Sequence, residues 1–244
     1  ARAFLSRYFQ TGKVYRVWFG DLRGTRLKYD GQMTFHSMLG LLDRKNFRFL
    51  ARALRAAGVL RPGMVVADVG ANVGIYSLWF SRLLAPYGGA RIYAFEPAPS
   101  AGELLRYHVA ENAAQDVEWV PMGISDQVGQ AEFFMTPNHA VSSLYRDHAA
   151  GAGDMQSMQI QTTTFEDFFS DGRECPDFIK IDIEGAAAKA LQRIDSCIEN
   201  KRPVFLIESH DVAEDREIAP VWSRDHHLDA IVTTDGTTLL DNTM

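Results

Sequence analysis

The stretch "VVADVGANVGIYS", residues 65–77, decides the fold. An apolar run leads into Asp68, a turn containing Gly70, Asn72 and Gly74 follows, and a helical pattern begins at once. A continuous apolar run of this kind is typical of a central parallel strand. The stretch therefore predicts a buried strand, a tight turn and a helix in direct succession.

The chain after this stretch repeats the same alternation of strand and helix. We predict strands at "MVVADV", "RIYAFE", "VEWVPM", "DFIKIDI" and "PVFLIES". We predict helices at "IYSLWFSRLL", at "SAGELLRYHVAEN" with Ser100 as cap, over 185–195 and near 214–223. Repeated β-α units predict an α/β fold, a doubly wound, mostly parallel Rossmann-like sheet with right-handed crossovers.

Two further features are expected to decorate this sheet. The segments "QAEFFM" and "MQIQTTTF" read as added strands on either side of an inserted polar loop, residues 136–157. The tail, "LDAIVTT" plus "TTLL", predicts a terminal hairpin that adds an antiparallel strand.

Residues 1–60 predict a separate, small basic lobe, and residues 61–244 the main domain. "KVYRVWF" and "TRLKYD", separated by "GDLRG", indicate a hairpin. In "DRKNFRFLARALRAAG", Phe47, Leu50, Leu54 and Ala57 fall on one helical stripe, and Gly58 is expected to stop the helix.

Charge is unevenly distributed along the 244 residues, although the net charge is only −6. Residues 1–60 hold 12 Lys or Arg and 3 Asp or Glu, whereas the remainder holds 13 and 28. A basic lobe can dock on an acidic body or on a partner chain, including a second copy of this one. It can equally meet an anionic substrate or membrane surface.

The cysteines and the apolar runs bear on location. Cys175 and Cys197 match no metal or CxxC spacing, so we expect buried thiols, a reducing compartment and a cytoplasmic protein. No apolar run approaches the roughly 20 residues of a membrane span.

The glycine turn indicates what binds at the sheet. In doubly wound folds, ligands bind outside the carboxyl ends of the strands. A nicotinamide fingerprint needs G-x-G-x-x-G, but Asn72 and Ile75 occupy two of the glycine positions. A carboxylate at Asp68 would also repel a pyrophosphate. An amino-acid ligand fits better, with its ammonium on Asp68 and its carboxylate on the N-terminus of the following helix.

Glu96 supports a nucleoside at the same edge. It ends the second strand of the alternation, where an acid commonly accepts both ribose hydroxyls. "GISD", residues 123–126, follows the third strand and could read the adenine edge. S-adenosylmethionine carries all these groups. The predicted cofactor-binding residues are Asp68, Gly70, Ala71, Asn72, Gly74, Glu96, Pro97, Gly123, Ile124, Ser125 and Asp182.

The sequence resembles the FkbM-type S-adenosylmethionine-dependent methyltransferases of class I. The resemblance rests on "DVGANVGIYS", "YAFEP", "GISDQVGQAEFF", "QTTTFEDFF", "DFIKIDIEGA" and "PVFLIE", and spans roughly residues 62–210. It implies O-methylation of a sugar, glycolipid, polyketide or similar small molecule, and Ser142 and Ser143 resemble a recurrent substrate-loop pair. The chain departs from the family pattern at Ala187, where a second glutamate is frequent, and residues 1–60 match nothing in it.

Methyl transfer to a hydroxyl requires a positioned base or a metal. We expect Asp182, at the tip of the fourth strand, to serve as base, metal ligand or electrostatic support. The period of a strand puts Lys180 and Glu184 on the same side as Asp182, and Lys180 is interpreted as a buried ion-pair partner. Further candidates are His210 and Glu184 as catalytic groups, His139 and His148 in the loop, and Asp182, Glu208 and Asp211 as ligands of Mg²⁺.

Two other classes of function remain open at this point. A nucleic-acid methyltransferase would share the cofactor fold, but no N-P-P-Y-like tetrad follows the fourth strand. A non-catalytic scaffold of the same fold would have no need of the Asp68, Glu96 and Asp182 set. Both are therefore less favoured than an O-methyltransferase.

Overall fold

The computed structural model describes residues 8–56, 58–135, 156–170, 172–183, 185–208, 216 and 218. The first elements are strands β1 (Val14–Arg16) and β2 (Arg26–Lys28) and helices α1 (Phe35–Leu39) and α2 (Arg44–Ala56). The later strands are β3 (Met64–Val69), β4 (Ala90–Phe95), β5 (Val117–Val120), β6 (Gly123–Ile124), β7 (Gly129–Met135), β8 (Gln156–Thr163), β9 (Phe178–Ile181) and β10 (Val204–Ile207). The later helices are α3 (Ile75–Leu84), α4 (Pro99–Glu111), α5 (Phe165–Ser170), α6 (Ala187–Ala190) and α7 (Asp195–Lys201).

In the described part of the chain, five parallel strands form the central sheet, in the order β10-β9-β3-β4-β5. The chain runs outward from β3 through β4 to β5, then returns to β9 on the opposite side of β3. The strand order thus reverses between β3 and β9, which is where such sheets bind ligands. The predicted doubly wound, mostly parallel sheet is confirmed.

Each face of this sheet covers its own hydrophobic core, because side chains alternate along a strand. Val66, Ile92 and Phe178 pack on one face against α3 and α4. Val65 and Ile179 pack on the other, against the layer that contains α5, α6 and α7. Burial on both faces explains why β3 is apolar along nearly its whole length.

The N-terminal lobe packs against the first of these cores. The predicted hairpin is present, with β1 and β2 antiparallel, and Phe47 of α2 stacks on Trp79 with ring centroids 4.8 Å apart. Backbone Lys28 N donates to His108 Nε2 at 2.9 Å, and Arg26 pairs with Glu111 at 2.7 Å. The hydrophobic core therefore continues across residue 60, and a domain boundary there stays a prediction.

The predicted apolar stripe of α2 is confirmed at its three described positions. Phe47, Leu50 and Leu54 are buried, and the helix ends at Ala56, just before Gly58 with φ 65°. Ala57 lies outside the described residues. Helix α1, capped by the Thr34 side chain, was not predicted because so short a helix shows too little periodicity.

Two predictions about helix ends are wrong. Helix α4 begins at Pro99, and its cap position is Ala98 without a side-chain bond, so Ser100 lies inside the helix. Proline suits the first helical position because it has no N–H to satisfy. The helix expected over 185–195 is divided into α6, a 3₁₀ turn at Leu191–Arg193, and α7, which begins at Asp195.

The added strands form a sheet of their own, in the order β6-β8-β7. Strand β8 begins at Gln156, so the end of the predicted loop 136–157 belongs to a strand. The rest of that loop, most of the helix near 214–223 and the C-terminal hairpin lie outside the described residues.

The expectation of free thiols is wrong, because Cys175 and Cys197 form a disulfide. The fold brings their Cα atoms to 5.2 Å, within the range of roughly 4.4–6.8 Å that a disulfide needs. The spacing in sequence contained no sign of this, and the cytoplasmic expectation loses its argument from thiols. Within the described ranges, every helix is too short or too polar to cross a membrane.

Candidate active site

The glycine turn between β3 and α3 lies at the switch point of the sheet. Gly70, Asn72 and Gly74 all have positive φ, at 75°, 49° and 87°. A Cβ atom on Gly70 would overlap the backbone oxygen of Asp182, and one on Gly74 would stand 3.0 Å from Leu105 Cγ. The sequence suggested that these glycines allow a ligand to approach the backbone. In the structure, the tip of β9 already occupies the space beside Gly70.

The turn is joined to the tip of β4 by hydrogen bonds. Gly70 N and Ala71 N both donate to Phe95 O at 3.0 Å, and Asn72 N donates to Glu96 Oε2 at 2.8 Å. Asn72 Oδ1 is buried, and no described residue offers it a hydrogen bond. A buried amide oxygen without a partner is costly, and a bound ligand could donate to it.

Glu96, the predicted ribose acceptor, is buried beside this turn. Its Oε1 accepts from Ala98 N at 2.8 Å, and Trp119 Nε1 donates to its backbone oxygen at 2.9 Å. Burial raises the pKa of Glu96 to about 7, although the two backbone N–H groups act in the opposite direction. Each carboxylate oxygen has a second lone pair, so the group can still accept from two hydroxyls.

Asp68 lies beneath the turn, with no surface exposed. Ser77 Oγ donates to its Oδ2 at 2.6 Å, and Lys180 Nζ lies 3.3 Å from its Oδ1. A direct contact with a ligand ammonium would therefore require Ser77 or Lys180 to move.

Lys180 connects the acids and the turn. Its ammonium lies 3.2 Å from Asp182 Oδ2, donates to Gly70 O at 3.0 Å, and stands 5.1 Å from the centre of the Tyr76 ring. Burial alone would lower the pKa of Lys180, but Asp182 and Asp68 outweigh it and hold the pKa above its usual value. The predicted ion pair and the shared strand face of Lys180 and Asp182 are confirmed.

The third strand tip lies next to that of β4. Gly123 and Ile124 pair with β8, and Ser125 N donates to Thr163 O at 2.9 Å. A Cβ atom on Gly123 would stand 3.9 Å from Pro97 Cγ, so the predicted adenine and ribose positions adjoin. Ile124 itself is buried in the core and can contribute only backbone atoms.

The predicted acidic metal site finds no support among the described residues. Asp182 and Glu208 sit at neighbouring strand tips, and no described group of three His, Cys, Asp or Glu side chains could hold a metal ion. The other candidates lie outside the described residues: Glu184, His210, Asp211, His139, His148, Ser142 and Ser143.

A pocket between α2 and the tips of β9 and β10 was missed by the sequence analysis. This interlobe pocket has a volume of about 230 Å³. It is lined by Asp43, Asn46, Phe49, Leu50, Tyr76, Lys180, Ile181, Leu206, Ile207 and Glu208. One signal was available, since Asp43 is one of only three acids in the basic segment 1–60.

The pKa values of two acidic groups that line the pocket are raised. Burial raises the pKa of Asp43, and the Asp182 carboxylate raises it further, whereas Lys180 lowers it. Burial also raises the pKa of Tyr76 well above its usual value, with a contribution from Asp43.

The sequence model of the methyltransferase FkbM domain matches residues 68–234, more than half of the chain. The chain belongs to this family. The match includes the glycine turn, Glu96 and the tips of β9 and β10, and begins after the N-terminal lobe.

Two relatives are similar over part of their length. Methyltransferase sdnD of Sordaria araneosa is 27% identical over 159 residues, which cover 53% of this chain and 60% of that protein. The 31-O-demethyl-FK506 methyltransferase FkbM of Streptomyces tacrolimicus is 36% identical over 103 residues, 42% of this chain and 38% of that protein. The chain thus spans less than two thirds of the length of either relative.

Among solved structures, a SAM-dependent methyltransferase from Agrobacterium tumefaciens has a TM-score of 0.50 and 10% identity. The match covers 88% of this chain and 60% of that one, and it shows a shared fold alone. An FkbM methyltransferase from Methylobacillus flagellatus has a TM-score of 0.47 and 19% identity, with coverage of 78% and 49%.

Proposed function

We propose that this FkbM domain is an S-adenosylmethionine-dependent O-methyltransferase acting on a small hydroxyl-bearing molecule such as a sugar, glycolipid or polyketide. The observation that carries the proposal is the bond between Asn72 N and Glu96 Oε2, at 2.8 Å. This hydrogen bond joins the glycine turn, whose backbone suits an amino-acid group, to a carboxylate that suits the hydroxyls of a ribose.

The residues at this edge fit the proposed cofactor. Glu96 would accept the ribose hydroxyls, the backbone around Gly123 would border the adenine, and the orphaned Asn72 Oδ1 would accept a ligand donor. The cofactor, when bound, supplies a methyl group on a positively charged sulfur. The chain's part is to orient the acceptor and to manage charge.

A hydroxyl acceptor is favoured by two considerations. Carboxylates gather at the tips of β9 and β10, where they can accept hydroxyl hydrogens, and Asp182 is held by Lys180 at 3.2 Å. The name of the Streptomyces tacrolimicus relative refers to a 31-O-demethyl compound, which indicates O-methyl chemistry for that protein. Asp182 would then orient the acceptor and support the transition state electrostatically.

Calorimetry with S-adenosylmethionine tests the cofactor. We expect binding by the native chain, a marked loss in Glu96→Gln, and no change in Glu118→Gln, a solvent-exposed acid on β5. Absence of binding by the native chain would favour a non-catalytic scaffold instead.

Transfer of a labelled methyl group to a panel of sugars, glycolipids and polyketides tests the reaction. Asp182→Asn should lower turnover more than cofactor affinity, and normal turnover in this variant would show that Asp182 has no such role. The same assay with RNA and DNA addresses the rival function, whose binding would weaken steeply as salt rises.

We also propose that the lobe contacts an anionic membrane surface through an aromatic and basic patch. It is formed by Trp18, Phe19, Arg23, Arg44 and Arg48, whose three positive charges outnumber the one acid beside them, Asp21. Trp18 is 63% exposed and Phe19 51%, beside the three arginines. Exposed aromatic rings of this kind favour the membrane–water interface, and each nearby arginine is attracted electrostatically to anionic lipid headgroups.

Sedimentation with vesicles tests this contact. Binding should require anionic phosphatidylglycerol and should fall in Trp18→Ala; equal binding to neutral phosphatidylcholine vesicles would contradict it. A cytoplasmic location and self-association stay predictions.

A further inference from the structure

The interlobe pocket adjoins the proposed cofactor site, and this inference rests on that proposed function. Lys180 lines the pocket and also donates to Gly70 O of the glycine turn at 3.0 Å. Tyr76 lines it from the first turn of α3, directly after Gly74. A molecule in the pocket would therefore lie one side chain away from the turn.

The chemistry of the walls selects a class of ligand. Asp43 and Asn46 come from the N-terminal lobe, Glu208 from the tip of β10, and Phe49 and Leu206 supply apolar surface. Among the described lining residues, Asp43 and Glu208 are acids and Lys180 is a base, which gives this part of the wall a formal charge of −1. Lys180 is also paired with Asp68 and Asp182. The acids of this lining repel carboxylates and phosphates, and they can accept hydrogen bonds from the hydroxyl groups of a neutral molecule with an apolar face.

The volume restricts the size of this ligand. About 230 Å³ is below the roughly 300–1,000 Å³ of pockets for drug-sized molecules. The pocket can hold a small ring, or the end of a larger molecule that extends into solvent.

Asp43 differs from the other acids in how it is held. Its carboxylate receives a single long hydrogen bond within the described part of the chain, from Asn46 Nδ2 at 3.4 Å. Its backbone is in the left-handed region, with φ 53°, a strained conformation that in folded proteins clusters at functional sites. The carboxylate of Asp182, in contrast, is engaged by the ammonium of Lys180 at 3.2 Å, and such a pair favours the charged form.

We propose that the interlobe pocket binds a neutral, hydroxyl-bearing acceptor and that Asp43 accepts the proton of the hydroxyl that is methylated. The new bond joins the hydroxyl oxygen to the methyl carbon, and the methyl–sulfur bond breaks with its electron pair left on sulfur. The hydroxyl proton passes to Asp43, so the neutral acceptor becomes a neutral methyl ether.

The electrostatic surroundings of Asp43 suit this role. Burial and the Asp182 carboxylate raise its pKa and thus its affinity for a proton, against the effect of Lys180. Tyr76, Asn46 and Glu208 are the other polar groups that line the pocket around it.

The test compares Asp43→Asn with Asp21→Asn, an exposed acid of the same lobe that does not line the interlobe pocket. Asparagine tolerates the left-handed conformation of Asp43, so the variant should fold. Acceptors are offered as matched neutral and anionic pairs, such as glucose and glucuronic acid. Calorimetry with S-adenosylmethionine is run on every variant.

We expect methyl transfer to a neutral panel member and not to its anionic match. Asp43→Asn should bind the cofactor normally but lose about 10²–10⁴-fold in turnover, the usual contribution of a general base. The increase in turnover with pH that is expected of the native chain should be absent in Asp43→Asn, and Asp43→Glu should restore part of the activity. Asp21→Asn should behave as the native chain does.

Two results would overturn the inference. One is normal turnover in Asp43→Asn; the other is failure of the native, cofactor-binding chain to methylate any neutral member of the panel. Failure of the native chain to bind S-adenosylmethionine would instead overturn the proposed function, so the two failures are distinguishable.

Discussion

Replacement of Lys180 by methionine provides the sharpest test of how the site is held together. Lys180 Nζ lies 3.3 Å from Asp68 Oδ1 and 3.2 Å from Asp182 Oδ2, and the side chains of Lys180 and Asp68 are 4% and 0% exposed. Methionine fills a similar volume but removes the charge. Asp68 would then remain as a buried carboxylate without a counter-charge.

The magnitude follows from this burial. Loss of one partner of a buried ion pair destabilises proteins by about 3–5 kcal/mol. The Asp182 side chain is 30% exposed and can be solvated, so most of the loss should arise at Asp68. For a chain of this size, such a loss corresponds to a fall in Tm of about 6–20 °C.

Urea unfolding monitored by circular dichroism, without cofactor, measures the loss. Lys13→Met, on an exposed side chain, serves as the control and should change the free energy of unfolding by less than about 0.5 kcal/mol. The double variant Lys180→Met with Asp68→Asn should lose less than the sum of the two single variants, because the isolated charge is gone.

Two results would refute this reasoning. A decrease of less than about 1 kcal/mol in the free energy of unfolding of Lys180→Met would show that the ion pair is as weak as a solvent-screened surface contact. Unchanged stability with abolished methyl transfer would show that Lys180 acts in the reaction rather than in the fold.

Three further predictions concern the turn and its neighbours. Because burial raises the pKa of Glu96 to about 7, cofactor affinity should increase as pH rises through 7 and Glu96 ionises, and calorimetry should find no such dependence in Glu96→Gln. Gly70→Ala should destabilise the fold by more than the roughly 1–2 kcal/mol of left-handed strain, since its Cβ would overlap Asp182 O; unfolding close to that of the native chain would contradict this. Burial lowers the pKa of His108, so the unfolded chain binds the proton more tightly than the folded chain does. The contribution of His108 to stability is therefore present above about pH 6.5 and is lost as pH falls below it. Denaturant midpoints measured across this range should decline less in His108→Gln than in the native chain.

The sheet and its ligand edge could be predicted because their signals are local. The apolar run of β3, the turn at Gly70 and the helical pattern of α3 are contiguous in sequence, and their order predicts the topology. Glu96 ends the next strand, and the period of two placed Lys180 beside Asp182.

The features that could not be predicted depend on segments far apart in the chain. Asp43 lines the interlobe pocket because α2 packs on α3, with Phe47 against Trp79. The disulfide between Cys175 and Cys197 depends likewise on how α7 packs beside the segment before β9. No spacing within one segment contains this information.

Helix α2 lies outside residues 68–234, the range that the family model matches, yet it forms one wall of the interlobe pocket. If the interlobe pocket binds the acceptor as proposed, substitutions along that helix would change acceptor selectivity without changing the glycine turn or Glu96. Acceptor selectivity could then be redesigned through Asn46 and Phe49 of this helix, in a segment that the family model does not match.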